Sequence, residues 1–573
     1  MNYQVLLSYM KKFSVNSLKA YLGDDIYDSL IEWKVDNKPL ESKKRLAEMI
    51  IAINGISILK NKEFRKDLLH SFSVDDICQI ANVDVIQKTD DIELVIENIV
   101  KNPWKDSTIN NRLLKYLELT SEEVFFKDTT EEVVSETVES YDKFYELLDY
   151  QYVIRQRALN ILNSNNNLER FLIHMPTGTG KTKTATHIIC QYYNYIIQNE
   201  GLIIWIAHTK ELLQQAYDTF KNVWKNIGNG SITMYKLWGD NTSDLTDETS
   251  GFMVAGIKKL LLMMSKSPDQ FDILRKRVRL IIYDEAHKAT ATETKKVIDR
   301  LMDRKGGLED RSLMGLTATP GRTSDYSLDN NLLAIMFGNR IIEIDTKLMN
   351  MINMSAQEAA NTRIEKDVIS YFQNRGVLAK IDKQELIYQD SFTDEELNQI
   401  KVEMSNNGYE DFSKKSLEII GANKNRNKEI IKKLKYLNSE KIPTIVFACS
   451  VRHGQLLSSV LELDNIPNAL VIGSMSNYER EEAIKQFKSK ESDINILINY
   501  EVLTTGFDAT NIECVFIARP TQSIVLYSQM LGRGLRGPQM GGKERCLLID
   551  VKDNLKKFDE KMAFSHFNNY WNV

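Results

Sequence analysis

The 573-residue chain has no run of about eighteen apolar residues, the length a membrane-spanning helix needs. Met1 to Ala20 carries Lys11, Lys12 and Lys19 and has neither a continuous apolar stretch nor a cleavage signature, so no export signal is read there. The five cysteines (Cys78, Cys190, Cys449, Cys514, Cys546) are scattered, odd in number and form no CxxC pair, so neither a disulfide framework nor a zinc ribbon is indicated. These absences predict a cytoplasmic protein with no membrane partner. A basic excess is missing too. At a net charge of -5, bulk attraction to a phosphate backbone is not expected. The acid is concentrated at the start: residues 1–147 hold about 19 Lys/Arg against 27 Asp/Glu, and the remainder about 55 against 52. A polyanion would therefore have to be held in a local cleft by backbone and hydroxyl donors, not on a broad basic face. There is no low-complexity tract beyond the NSNNN stretch at 163–167, a surface loop, and no PD-(D/E)xK pattern.

What is present is an ordinary globular composition, 43% apolar and 27% charged, and a length that implies about three or four domains. Residues 1–147 repeat apolar positions at helical spacing, as in Leu46, Met49, Ile50 and Ile53, and predict an all-helical accessory domain. Its end, Thr129 to Tyr141, is acidic and reads as a linker or exposed helix. From residue 148, short β-branched runs alternate with amphipathic patterns. Strands are expected at Phe171–Met175, Leu202–Ala207, Phe252–Ala255, Leu280–Tyr283 and Leu313–Thr317. The alternation restarts at Thr444–Ala448, Ala469–Ile472, Ile494–Ile498, Cys514–Ala518 and Cys546–Ile549. The fold class is thus α/β: two tandem parallel-sheet lobes, 148–345 and 440–573, behind a helical N-terminal domain. Residues 346–439 between them are polar and helical in pattern and read as a linker or insert.

The strongest local signal is Met175-Pro-Thr-Gly-Thr-Gly-Lys-Thr182, between an apolar strand and a helical pattern. Gly178 and Gly180 let the backbone of Thr177, Thr179 and their neighbours curl, so that N–H groups face phosphates. Lys181 would reach the β and γ phosphates of ATP and Thr182 would hold Mg²⁺. The first glycine of the strict GxxxxGK pattern is replaced by Met175. About a hundred residues on, a second apolar strand ends in Asp284-Glu285-Ala286-His287. Asp284 is expected to bind the metal and Glu285 to deprotonate the attacking water. A third strand ends in Gly315-Leu-Thr-Ala-Thr-Pro320, where Thr317 and Thr319 could bond to the acidic loop or to His287.

In the second lobe, Gln529, Arg533 and Arg536 recur at helical spacing in QMLGRGLR, which places them on one helix face. In order and spacing, these segments resemble motifs I, II, III and VI of superfamily 2 helicases. YEVLTTGFD (500–508) resembles motif V, with Gly506 and Asp508 toward the nucleotide. The resemblance extends over residues 148 to about 552. It implies RecA-like lobes, ATP and Mg²⁺ as cofactors, and arginine fingers at Arg533 and Arg536, with Gln529 beside them. Its nucleic-acid track would include His208 and Thr209 in IAHTKELLQQ, Gly256 in GIKK, and Thr504 and Thr505. Phe447 to Arg452 resembles motif IV. Gln151 in LLDYQ is similar to the glutamine that contacts adenine, with Gln156 as its rival. Arg275 to Arg279 reads as a solvated loop before a strand.

The subgroup resembled is bacterial, related to type I restriction motors, DNA repair helicases and antiphage systems. Expected partners are nucleic acid, DNA before RNA, and a protein, a nuclease among the candidates, at the acidic N-terminal domain. The competing readings are an RNA helicase or RNA-sensing ATPase, and a nucleotide-gated switch that recruits a partner without unwinding.

Overall fold

The computed structural model describes residues 3–32, 42–83, 89–125, 134–141, 144–164, 169–239, 245–246, 248–321, 327–345, 368–389, 392–406, 411–504 and 510–553. The molecule has two RecA-like lobes and a helical N-terminal region. No described helix is long and apolar enough to cross a membrane.

The first lobe contains β1 (Ser135–Glu139), β2 (Arg170–His174), β3 (Leu202–Ala207), β4 (Ser231–Leu237), β5 (Gly251–Gly256), β6 (Val278–Asp284), β7 (Ser312–Thr317) and β8 (Ile341–Ile342), in sheet order β1-β4-β5-β3-β6-β7-β2-β8. All pairings are parallel except that of β1 with β4. All six residues of β3, β5 and β7 are buried, as expected where helices cover both faces of a sheet. The order places β7 between β2 and β6. Their C-terminal ends, which carry the Gly-rich loop and the acidic loop, thus open on one edge.

The second lobe is a six-stranded sheet of β9 (Lys380–Leu386), β10 (Thr444–Phe447), β11 (Asn468–Val471), β12 (Ile496–Asn499), β13 (Cys514–Ile517) and β14 (Arg545–Val551), in order β11-β12-β10-β13-β14-β9.

Four expectations need correction. The segment Thr129 to Tyr141 is not a linker or exposed helix where it is described: β1 pairs with β4, Val138 opposite Ile232. Val138 alone of this strand is buried, while Glu136 is held outside by Tyr217 and Lys221 at 2.8 and 2.6 Å. An acidic edge strand with one core residue has no apolar alternation to read. The first lobe therefore begins upstream of 148.

Most of the described part of residues 346–439 is built into the second lobe and is not a plain helical linker, although Phe372 still meets Tyr150 of the first lobe ring to ring at 4.8 Å. The polar strand β9 extends the second sheet alongside β14, and the helix Lys424–Ser439 buries Ile430, Ile431, Leu434 and Leu437 in that lobe's core. A charged edge strand again hides its identity.

Arg275 to Arg279 is not a solvated loop. Arg275 is buried at the end of the helix Pro268–Arg277 and holds Asp272 and the carbonyls of Asp303 and Lys305. Arg277 bonds to the Thr249 carbonyl and Arg279 to Glu200 and Asp310. The fourth correction, at Arg533 and Arg536, belongs to the site.

Among the described residues before Ser135 there are only helices. This region docks on the second lobe, although the first follows it in sequence. The helix Lys43–Asn54 lies against the helix Val451–Leu463, and Leu46, Ile50 and Ile53 share an apolar core with Leu457, Val460 and Leu461. Arg45 donates to the Leu463 carbonyl at 3.0 Å, Lys60 to that of Ser474 at 2.9 Å, and the Ile56 N–H to the buried Glu479 at 2.7 Å. Gly55, at φ +51°, lets the chain pass against that carboxylate, which a Cβ would strike.

Candidate nucleotide site

The Gly-rich loop turns through Gly178 (φ +88°) and Gly180 (φ +77°), left-handed conformations that suit glycine, and the helix Lys181–Gln191 starts at once. Its first-turn N–H groups are thereby directed into the loop. Thr179 is buried, and its carbonyl accepts two hydrogen bonds, from the Tyr150 hydroxyl (2.9 Å) and from Gln151 Nε2 (3.0 Å). The Gln151 side-chain oxygen Oε1 accepts the Leu148 N–H at 3.0 Å. Gln151 is therefore the glutamine that adjoins the loop. Gln156 instead bonds to Tyr152, on its own helix.

Asp284 ends β6, is buried, and accepts the Glu285 N–H at 2.9 Å. Glu285 takes φ +52°, a conformation costing a residue with a Cβ about 1–2 kcal/mol. Burial raises the Asp284 carboxyl above the usual range, with Lys181 opposing. Glu285 is held below it: burial acts upward, but Lys181, His287, Lys288 and Arg533 outweigh it. His287 faces Glu285 at 3.3 Å and Thr317 Oγ1 at 3.4 Å, and burial pushes its pKa down to about 4. Thr317 donates to the Thr319 carbonyl (2.7 Å) and accepts the Thr319 N–H (3.1 Å), fixing the loop after β7.

On the other lobe, the helix Ile524–Leu531 ends before the arginines. The expectation that Gln529, Arg533 and Arg536 share one helix face fails. Gln529 is in the last turn, Arg533 follows on a turn, and Arg536 sits in a β-bridge with Leu378. The glycines explain this. A Cβ on Gly532 would stand 2.5 Å from Thr177 Cγ2, and one on Gly534 would overlap Cys546 Sγ. Both positions need bare backbone, Gly532 to touch the Gly-rich loop and Gly534 to lie on the sheet.

The arginines nonetheless arrive. A cavity of about 280 Å³ is lined by Lys181, Thr182, Asp284 and Glu285 from one side and by Gln529, Arg533 and Arg536 from the other. Burial lowers the Arg533 pKa to about 10 against the opposing Glu285, so it stays charged near neutrality. Gln529 Nε2 is buried with no partner.

These groups fit a nucleoside triphosphate with Mg²⁺. N–H groups, Lys181 and two arginines converge on one cavity, and Asp284 is a buried carboxylate whose charge a cation would favour. Mg²⁺ commonly takes one or two carboxylates and fills its remaining sites with phosphates and water, which suits the pair Thr182 and Asp284. Gln215 and Thr219, also in the lining, were missed by sequence reasoning. Their spacing of four with Leu212 three residues earlier puts all three on one face of the helix Lys210–Ile227, a pattern that a solvent-facing helix shows equally well.

The predicted track residues are spread along the strand ends. Thr209 caps the helix Lys210–Ile227 through the Leu212 N–H (3.4 Å), and His208 is hydrogen-bonded to the Tyr283 hydroxyl. Gly256 caps the helix Ile257–Lys266 by its backbone alone. Thr504 bonds to the Glu501 carbonyl at 3.0 Å. Thr505, Gly506 and Asp508 lie outside the described residues.

Two α/β lobes that share one phosphate-directed cleft define a P-loop ATPase architecture of the tandem type. The family model described as type III restriction enzyme, res subunit, matches residues 131–322, a span that includes β1, and that of the helicase conserved C-terminal domain matches 426–537. Among curated relatives, a Saccharomyces cerevisiae protein named as ATP-dependent helicase IRC3 is 26% identical over 409 residues, 70% of this chain and 51% of the relative. A Schizosaccharomyces pombe protein named as mitochondrial ATP-dependent helicase irc3 is 26% identical over 414 residues, 72% and 58% respectively. The type I restriction enzyme EcoKI endonuclease subunit of Escherichia coli is 23% identical over 396 residues, 64% and 31%. The chain spans about half the length of the first two. It belongs to the superfamily 2 helicases.

Proposed function

We propose that the chain is an ATP-driven motor that moves along DNA and acts as a helicase or duplex translocase. The carrying observation is the shared cavity: Lys181, Thr182, Asp284 and Glu285 line it from one lobe and Gln529, Arg533 and Arg536 from the other, which supports a division between phosphate and water handling on the first lobe and stabilising cations on the second. Hydrolysis then requires closure, and closure is the motion that a motor converts into steps.

In this reading Lys181 and the loop N–H groups grip the β and γ phosphates, and Glu285, held ionised, takes the proton of the attacking water. Arg533 and Arg536 stabilise charge on the equatorial oxygens, and Gln529 orients toward the same group. Thr182 and Asp284 would hold Mg²⁺, which would supply charge neutralisation on the phosphates. His287, Thr317 and Thr319 tie the acidic loop to the loop after β7. His208, Thr209, Gly256 and Thr504 stand where a sugar-phosphate backbone would cross the strand ends, and hydroxyls and helix starts there suit binding without base preference.

DNA is favoured over RNA by the names of the relatives. The Escherichia coli match is a restriction subunit, and a Sclerotinia sclerotiorum protein named ATP-dependent DNA helicase mph1 is 29% identical over 177 residues. The helical N-terminal region is the proposed seat of a protein partner, and a nuclease would supply the cutting that this chain has no motif for. A bacterial DNA-processing or antiphage setting fits that division of labour.

The test is steady-state ATPase with and without single-stranded, forked and duplex DNA and matched RNA. Stimulation by DNA is expected, and Lys181→Ala should abolish it with the fold retained. A rate indifferent to every nucleic acid would sink the motor reading, and equal or better stimulation by RNA would overturn the preference for DNA.

A further inference from the structure

Tyr283 immediately precedes Asp284 on β6, and its side chain leaves the sheet on the opposite face. Ile282 packs in the core that includes Ile188 of the loop helix, whereas Tyr283 packs with Ile281 and Val297 in the other. The ring is fully buried, yet its hydroxyl reaches two polar groups, His208 Nε2 and the buried Thr294. His208 stands at the end of β3, one residue before the cap of the helix Lys210–Ile227, and its ring meets that of Tyr283 edge-on at 5.8 Å between centroids. The charged groups facing it are Lys288, Glu285 and Lys258. Burial keeps the half-buried imidazole neutral near pH 7.

A neutral imidazole carries one proton, and its position decides what the ring offers. The Tyr283 hydroxyl carries one proton: given to Nε2, it makes that nitrogen the acceptor and leaves the imidazole proton on Nδ1, and the buried Thr294 beside the tyrosine oxygen can donate to it in that arrangement. Among the described residues nothing hydrogen-bonds to that nitrogen.

The geometry points to Tyr283 as a positioning residue that holds His208 in its Nδ1–H form, so that the strand end presents a fixed neutral donor to a nucleic-acid phosphate. It rests on the motor reading and deepens it. One side chain of the strand that ends in Asp284 would set how the track grips its polymer, without touching nucleotide or polymer itself.

The decisive variant is Tyr283→Phe, which keeps the buried ring and removes only the hydroxyl. Two readouts are needed. In ¹⁵N spectra of histidine-labelled full-length protein, with His208 assigned from a His208→Asn variant, the parent should show a protonated Nδ1 and an accepting Nε2, and Tyr283→Phe should lose that preference. In ATPase titrations with a single-stranded oligonucleotide, the concentration for half-maximal stimulation should rise about five- to tenfold in Tyr283→Phe, the scale of one hydrogen bond, while the rate without oligonucleotide stays at the parent value. Thr294→Val should shift both readouts in the same direction by less. A parent His208 protonated at Nε2 overturns the inference, as does a Tyr283→Phe variant whose unstimulated rate falls in step with its response to oligonucleotide. A parent with the expected ring state but no stimulation by any nucleic acid overturns instead the motor reading and, with it, the role assigned to the pair.

Discussion

On the first lobe, Lys181, Thr182, Asp284 and Glu285 stand where buried strands run out into loops; on the second, Arg533 and Arg536 stand beyond the end of a helix, on backbone bared by two glycines. The first arrangement is local. Each group is placed by its own strand and the helix that follows, and the order β6-β7-β2 brings the loops together. The second is tertiary: Arg536 is held in its bridge by Leu378, more than 150 residues earlier, and Gly532 matters because Thr177 of the other lobe lies against it. One side of the cleft is therefore a property of a lobe, and the other is a property of the pair.

The sharpest test of that asymmetry is to remove the arginines. Arg533→Ala or Arg536→Ala should lower the stimulated ATPase about 10³-fold or more, with nucleotide binding to the first lobe retained in a fluorescent-analogue titration. Loss of binding along with turnover would mean that the lobes do not divide the labour. Next in size is Gly532→Val. Its side chain would push on Thr177 and misplace the arginines by roughly an ångström, an error worth about 10²-fold in rate. The melting temperature should stay near that of the parent, and a full-rate variant would show that this contact does not set closure.

Smaller effects probe how the accessory region and the edge strand are attached. Glu479→Ala leaves the buried Ile56 N–H without an acceptor and breaks the capping box with Ser476, so unfolding by denaturant should show a loss of about 1–3 kcal/mol. Protease should release the N-terminal helices before it cuts the first lobe. Glu136→Gln on β1 should cost less than about 1 kcal/mol, because the carboxylate is partly exposed. Its pKa is lowered: burial acts upward, and Lys221 and Tyr217 overcome it. The contribution is therefore present above the ordinary carboxylate range and fades as pH falls through the lowered value, so the two proteins should converge in stability in acid.

Much of this was legible in the sequence. The interior strands of both lobes were readable because burial on two faces demands unbroken apolar runs, such as LIIWIA in β3. The strands that escaped, β1, β4, β8 and β9, are edge or near-edge strands whose residues alternate, are largely charged or, in β8, number only two, and whose identity depends on a neighbour far along the chain. The same distinction divides the site. Gly178, Gly180 and Lys181 announce themselves because a phosphate-binding turn constrains consecutive residues. Gln215 and Thr219 do not, because a helix can present such residues to solvent or to a ligand with the same pattern.

By itself, the sequence determined that two parallel-sheet lobes would form and which residues would end their strands, since hydrophobic period, glycine conformation and loop spacing are local constraints that a chain carries wherever it folds. Only the tertiary structure decided that the helical N-terminal region rides on the second lobe, that the strand 380–386 and the helix 424–439 belong to that lobe, and that Arg533 and Arg536 enter the cleft from a turn. Those outcomes depend on which apolar surfaces find each other across hundreds of residues, and on the close approach that a missing Cβ permits.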